Sequence, residues 1–547
     1  MNSAHWGKRL LLFLIPLYVI ILSFIFLRTF LPFYLNQPDP SYCYLFNGMN
    51  TLGGNMGKQA FKNLLQPGAT IQCFASGVIF IKSLFSSSHS PIYEDVIRNP
   101  ESYLSACSVI LTLLLVCINY LTGVYVFRHT GSIGVSMLFQ ITPLINIDII
   151  KRAIVLEPES LIIIVSAFFM AYLFLKAPEN KVNTDNQQNK KSAILFGLFS
   201  GFLIASKYTC VPIIFLVLFI LKKNKERLIY LGMVMLSFFI LIIPVLPKIE
   251  NMFQWVRDFS IYNDIYGNVE EQAINPPQFI KNLKDLLLTD TVFTLIYFVI
   301  TMALLITVVN SIRKRETPFV RTISGVWFSI TSLILAVAKH CDFHYLIFAE
   351  CCFPLGLVIS YKIFSGSFSS FIQNFRNYTK KILYSALAIF FLFLMVEKIR
   401  YIPLHYVQPV SIDKSTDKYE ALPLIISVKS GLACGRKEPA LYLGYMYAGG
   451  TQDVYARFLE KIYPGTYIYW NGLQTLTHWE QTIPMAEFSA KNKKMLLYLK
   501  GYDDAEALSV LNKFCVNDTG TKPVDEKIVF KDLKTLQSVY MIDESHE

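Results

Sequence analysis

Long apolar blocks separated by short polar joints dominate this chain, and they leave few folds open to it. Eleven stretches read as membrane spans, at roughly 10–31, 104–127, 131–148, 154–175, 192–206, 209–221, 228–246, 291–311, 320–338, 345–361 and 382–397. Each reaches or approaches the roughly 20 apolar residues a helix needs to cross the hydrocarbon. The fifth and sixth are short enough to form a broken pair. Only 16% of the 547 residues are charged, while 53% are hydrophobic and the mean hydropathy is +0.43. A soluble domain carries about 25% charged residues, so this chain cannot cover a soluble surface of its size. That excludes a cytosolic enzyme, a disordered chain and a small disulfide scaffold. The stretch 69–85 is apolar but holds Gln72 and Lys82. It reads as an interfacial or re-entrant helix.

The net charge of +11 invites a nucleic-acid reading, but its layout points to topology. With the N-terminus inside, the inner joints hold Lys8 and Arg9, Arg128, Lys190 and Lys191, the cluster Lys222 to Arg227, Arg313 to Arg315, and Lys380 with Lys381. Almost every short basic cluster then falls on one side, as the positive-inside rule expects. No nucleic-acid patch is expected. The first span is long and has no small-residue cleavage site, so it reads as a retained anchor.

Three segments then lie outside: loops 32–103 and 247–290, and a polar tail, 398–547, long enough for a core of its own. The tail alternates strand-like runs (439–444, 466–470, 494–499, 526–530, 536–542) with helix-like runs at 452–462 and 504–515, the latter with Asp503 as N-cap. The expected architecture is a multi-pass helical membrane domain over 1–397 and an extracytoplasmic α/β domain over 398–547. Cys434 and Cys515 both fall in that tail. An oxidising outer compartment would allow them to pair.

The unusual polar residues gather at the outer ends of spans, where charge is costly and tends to be functional. Asp39 follows the first span in Pro-Asp-Pro-Ser-Tyr. It can face a cavity, with Tyr42 nearby, or simply cap the next helix. Glu157 and Glu159 flank Pro158. They read either as acids complementing a helix dipole or as ligands for a metal or acceptor. Lys207, with Tyr208 beside it, either snorkels or meets a phosphate. The run Lys339, His340, Cys341, Asp342, Phe343, His344, Tyr345 offers a phosphate or substrate site, a His340/His344 metal pair, or a polar cap. Arg152 adds a cation. His89-Ser90-Pro91 and Gln66-Pro67-Gly68 read first as turns.

In order and sidedness these pieces resemble the multi-spanning GT-C glycosyltransferases, such as the protein O-mannosyltransferases and the lipid A aminoarabinose transferases. The resemblance covers roughly residues 1–400. It implies transfer of a sugar from a polyprenyl-phosphate carrier to a glycan, lipid or protein acceptor at the outer face of the membrane. The family's catalytic acid after the first span corresponds to Asp39. Its usual Asp-Glu is here Asp-Pro, which removes one metal ligand. Its His-Pro element is matched in position by Gln66-Pro67 and more loosely by His89. Glu157-Pro158-Glu159, Lys207-Tyr208 and the run from Lys339 to Tyr345 resemble its acid-Pro, Lys-Tyr and basic elements. Displacement at the anomeric carbon then needs Asp39 as base, and cations on the leaving phosphate from Lys207, Arg152, Lys339, His340 or His344. Glu157, Glu159, Tyr42, Tyr208, Asp342 and His89 remain substrate or metal candidates. The resemblance fixes no cofactor and leaves a divalent metal open. A bacterial inner membrane, with the N-terminus cytoplasmic and the tail periplasmic, fits the lack of an ER retention signal. The alternatives are a polysaccharide polymerase or ligase using a lipid-diphosphate donor, and a transporter or flippase, which would favour midplane charges on repeated halves.

Overall fold

The structure, a computed structural model, describes residues 10–36, 38–55, 68–86, 90–176, 186–261, 275–313, 319–339, 343–367, 396, 419, 422–428, 436–469, 475–515, 525–532 and 537–543. It is mostly helical, with one C-terminal sheet. Among the described residues, five helices are long and apolar enough to cross a membrane: Pro100–Thr130, Pro158–Lys176, Thr291–Ile312, Val320–Ala338 and a stretch Phe343–Ser365. Leu14–Arg28, Ala69–Leu84 and Tyr208–Ile220 are shorter apolar helical stretches. This is the make-up of a helical membrane protein. The expected span 382–397 lies outside the described residues, apart from Val396.

The chain divides into two compact units. One comprises Met1–Leu27, Leu64–Ile71 and Ser108–His405; the other comprises Arg28–Asn63, Gln72–Cys107 and Tyr406–Glu547. Most of the expected loop 32–103 therefore groups with the tail rather than with the long helices.

In the helical unit, the helices Asn186–Ser206 and Asn224–Leu241 pack most closely. Gly197 and Gly201, one turn apart, make that approach possible. A Cβ on Gly201 would sit 2.6 Å from Ser237 Cβ and 2.7 Å from the Val234 carbonyl oxygen. Small residues spaced four apart are the usual device for close helix pairs in lipid. Tyr230 donates to Ser200 Oγ at 3.0 Å across the same seam.

One expected span does not form a single helix. Residues 131–148 divide into Ile133–Gln140, a 3-10 turn Thr142–Leu144 and the start of Ile147–Ala153. Pro143 cannot donate a backbone hydrogen bond to continue the first helix. Asn146 then accepts from the Asp148 N–H at 3.0 Å and starts a new one. The broken pair expected near Lys207 is present. The helix Asn186–Ser206 ends, Lys207 is extended (φ −160°, ψ 140°), and a 3-10 turn Tyr208–Cys210 leads to Ile213–Ile220. Ala69–Leu84 is helical. Its entry is tied to the end of Asn186–Ser206 by Gly68 N–H to the Ser206 carbonyl at 3.2 Å and by Thr70 and Ser206 hydroxyls 2.8 Å apart.

The second unit is built on a seven-stranded sheet of order β4-β3-β2-β1-β5-β7-β6. The strands are β1 Leu424–Val428, β2 Thr466–Tyr469, β3 Thr475–His478, β4 Gln481–Pro484, β5 Lys494–Lys500, β6 Asp525–Asp532 and β7 Gln537–Asp543. β1 lies parallel to both β2 and β5, and the outer pairs are antiparallel. β5 (KMLLYLK) is buried along nearly its whole length. Such a continuous apolar run marks a strand covered on both faces. The helix Asp504–Cys515 packs Ala507, Val510, Leu511 and Phe514 into the core with Leu497 and Leu499. Asp503 caps it: its Oδ1 accepts from Glu506 N–H at 2.8 Å, and Glu506 reaches back to the Asp503 N–H at 3.3 Å. This is a capping box. Asp503→Ala should cost about 1 kcal/mol, seen as about fivefold faster amide exchange in that helix.

One tail expectation fails, and one feature was not foreseen. Residues 439–444 are not a strand but part of the helix Lys437–Tyr447. Pro439 sits in its first turn, where no intrahelical donor is lost. The hairpin β3–β4 was not expected. Its two-residue turn opens on Trp479 (φ 51°), not on Gly or Asn. The indole is buried against Tyr442 and Tyr445 and donates to the Tyr463 carbonyl at 3.4 Å. Tertiary packing thus holds a backbone geometry that local sequence does not advertise. Cys434 and the Cys515 side chain lie outside the described residues.

Candidate functional site

In the helical unit, the break at Lys207 and the start of Pro158–Lys176 bring charge into an apolar interior. Lys207, Glu157 and Glu159 are all buried. The Lys207 ammonium donates to Glu159 Oε1 and lies 4.4 Å from the centre of the Tyr345 ring. His344, in the 3-10 turn Phe343–Leu346, places Nε2 4.0 Å from the same Glu159 oxygen and its ring against Tyr345. Arg152, in the last turn of Ile147–Ala153, donates to Glu157 Oε2 at 3.0 Å. Two carboxylates thus face two permanent cations, and His344 adds charge only when protonated.

Glu157 Oε1 is buried without a hydrogen-bond partner among the described residues. A buried polar atom left so costs about 1–3 kcal/mol, and eleven other side-chain atoms among the described residues share that condition. Tyr208 is half-buried against the small core of Ala69, Ala205, Ile242, Val245 and Met252. Lys339 follows Val320–Ala338, and burial lowers its ammonium pKa. His340, Asp342, His89, Gln66 and Pro67 lie outside the described residues.

In the second unit, Asp39 is the residue the sequence singles out. Its backbone is extended (φ −103°, ψ 125°), interrupting the helical run Pro38–Leu52. Proline at position 40 disfavours a helical residue before it. The carboxyl is half-buried. The Cys43 thiol, a weak donor, lies 3.8 Å from its Oδ1. Burial raises the Asp39 pKa above the usual carboxylate value, and the thiol only partly opposes this. Tyr42 is buried and donates to Glu101 Oε1 at 2.7 Å.

Glu101 is the residue that sequence reasoning passed over. It also accepts from the Phe33 N–H at 2.6 Å and the Tyr34 N–H at 3.1 Å. Its only sequence signal is an acid in the first turn of Pro100–Thr130. Asn50 was equally unmarked. It donates to the Ala448 carbonyl at 2.9 Å and accepts from Thr451 at 2.5 Å and Tyr455 at 2.7 Å. Gly444 packs against Phe46, and Lys461 reaches Glu94 at 2.9 Å. The hydrogen bond from Lys461, then that from Arg98, holds Glu94 below the usual carboxylate range. The segment carrying Asp39 is thus gripped by the tail.

Among the described residues, no three His, Cys, Asp or Glu side chains are grouped as metal ligands. Glu157 and Glu159 each face a cation instead. The chain matches no protein-family model and no curated protein.

Proposed function

We propose that the chain is a membrane glycosyltransferase that moves a sugar from a polyprenyl-phosphate carrier to an acceptor hydroxyl at the outer face of the membrane. The observation that carries this reading is Asp39. It is a half-buried carboxyl on an extended stretch just after the first apolar helix, with its pKa raised by burial. A raised carboxyl pKa suits a general base, whose efficiency is best near the working pH. The reading assigns Asp39 to the acceptor proton and Lys207, Arg152 and His344 to the leaving phosphate, with Lys339 and His340 as further cations. Direct displacement inverts the anomeric centre. The resemblance to the GT-C enzymes supports the same assignment. The eleven-span layout expected from the sequence supports it too, since that layout would set the tail outside a bacterial inner membrane.

The charge balance favours a second reading. The buried set of Lys207, Glu159, Arg152 and Glu157 is formally neutral, and Glu157 Oε1 lacks a partner among the described residues. Such buried, paired charge in apolar helices also suits a proton-coupled transporter. Purified protein in lipid nanodiscs, offered a panel of radiolabelled polyprenyl-phosphate sugars and simple acceptors, separates the two. Transfer of label with inversion supports the transferase. Absence of transfer with every donor, together with pH-dependent substrate uptake in proteoliposomes, supports the transporter and overturns the first reading.

A further inference from the structure

One carboxylate holds both arms of the segment that presents Asp39. Glu101 Oε2 accepts from the Phe33 N–H at 2.6 Å; Glu101 Oε1 accepts from the Tyr34 N–H at 3.1 Å and from the Tyr42 hydroxyl at 2.7 Å. Phe33 and Tyr34 precede Asp39, and Tyr42 follows it. Asp39 therefore sits inside a short loop whose two ends are fastened to a single group on another helix. The fastening is buried on the Tyr42 side, where the ring is fully enclosed. Three hydrogen bonds converge on one carboxyl group, each strengthened when that group is ionised, and together they make a clasp. Burial raises the Glu101 pKa, and the bonds from Tyr42, Phe33 and Tyr34 and, least of all, the charge of Lys437 on the helix Lys437–Tyr447 oppose this. At Asp39 itself the facing titratable group is the Cys43 thiol, 3.8 Å from its Oδ1.

A plain helix cap would need only the two backbone donors of Phe33 and Tyr34. The third bond, from a side chain on the far side of Asp39, adds nothing to that cap. It closes the loop. We infer that Glu101 is a positioning residue for Asp39, holding the backbone on both sides of it so that its carboxyl keeps one half-buried setting. The catalytic use of that setting rests on the transferase reading; the positioning does not. A base displaced by about 1 Å can lose 10²-fold in rate, so a residue bonded to the chain on either side of Asp39 has leverage on turnover.

The test uses the full-length protein in nanodiscs and two variants, Glu101→Gln and Tyr42→Phe. The latter removes one hydroxyl and keeps the ring that fills the core. Asp39 is probed with a water-soluble carbodiimide and an amine, and its modification is followed by peptide mass spectrometry from pH 4 to 8. Carbodiimide needs the protonated carboxyl, so the profile reports both access and ionisation. Positioning predicts faster modification of Asp39 in both variants, about threefold or more, with the half-point moved to lower pH as the freed carboxyl hydrates. Transfer assays on the same samples should show kcat falling about tenfold or more with KM for the donor little changed. An Asp39 profile in Glu101→Gln identical to wild type overturns the inference, whatever the activity. A shifted profile with unchanged kcat would leave Glu101 as a clasp and remove Asp39 from the chemistry. Wild type inactive on every donor, with the profile still shifted, would sink the transferase reading and leave the positioning intact.

Discussion

Asp39→Asn should lower sugar transfer by 10²- to 10⁴-fold, the usual range for removing a general base, while the protein folds and binds donor as before. The substitution keeps size and shape and removes the proton acceptor. Asp39 is only half-buried, and the sulfur contact it keeps with Cys43 is weak, so little stability is at stake. The loss should fall on kcat, because the base acts in the transition state and not in donor binding. The pH profile gives a second check. Burial raises the Asp39 pKa, and only the ionised form accepts a proton. Transfer in wild type should therefore fall as pH drops through a limb lying above the usual carboxylate value of about 4. In Asp39→Asn that limb should vanish from the residual rate. Equal turnover in the two proteins would move the base elsewhere, with Glu157, whose Oε1 has no partner among the described residues, next in line.

The parts of the fold that were legible in the sequence are those with a local cause. Apolar length announced Pro158–Lys176, Thr291–Ile312 and Val320–Ala338. The helices Gln452–Ile462 and Asp504–Cys515 could be read from period and cap, and four of the five expected strands lie where the alternation put them. What was not legible depends on distant partners. The helix Lys437–Tyr447 reads as a strand until Gly444 is set against Phe46. The Trp479 turn has no turn residue and relies on an indole packed among tyrosines. The division into units has the same origin. Loop 32–103 looks like an appendage of the spans, yet Asn50, Phe46 and Glu94 bind the tail through Thr451, Tyr455, Gly444 and Lys461.

The candidate site follows that pattern. The residues picked for unusual charge at span ends, Glu159, Lys207, His344, Glu157 and Arg152, do come together in the helical unit. Sequence could not say that the cations would be matched by carboxylates. Lys207 read either as a snorkelling lysine or as a phosphate contact; its ammonium is held by Glu159. Glu101, by contrast, stands among ordinary helix-start residues and gains its meaning only from three donors that lie about sixty residues or more away in the chain.

The Lys207–Glu159 pair carries the second large effect. Removing one partner of a buried ion pair leaves the other charge without compensation, which costs about 3–5 kcal/mol. Lys207→Met should therefore destabilise the helical unit strongly, with a clearly lowered thermal midpoint in detergent. His344 Nε2, at 4.0 Å from Glu159 Oε1, is too far to replace the ammonium. Adding Glu159→Gln removes the stranded charge, so the double variant should recover most of the lost stability; replacing a buried pair by neutral groups is often close to neutral. Activity then separates structure from chemistry. If Lys207 serves the departing phosphate, the stable double variant should still transfer sugar at least 10²-fold more slowly than wild type, since one lost electrostatic contact to developing charge costs about that much. If the pair serves only to hold the helix start Pro158–Lys176 against Lys207, stability and transfer should return together. The coupling between the two sites, read from the four proteins of the cycle, should exceed about 2 kcal/mol in stability in either case, because it measures the stranded charge and not the reaction.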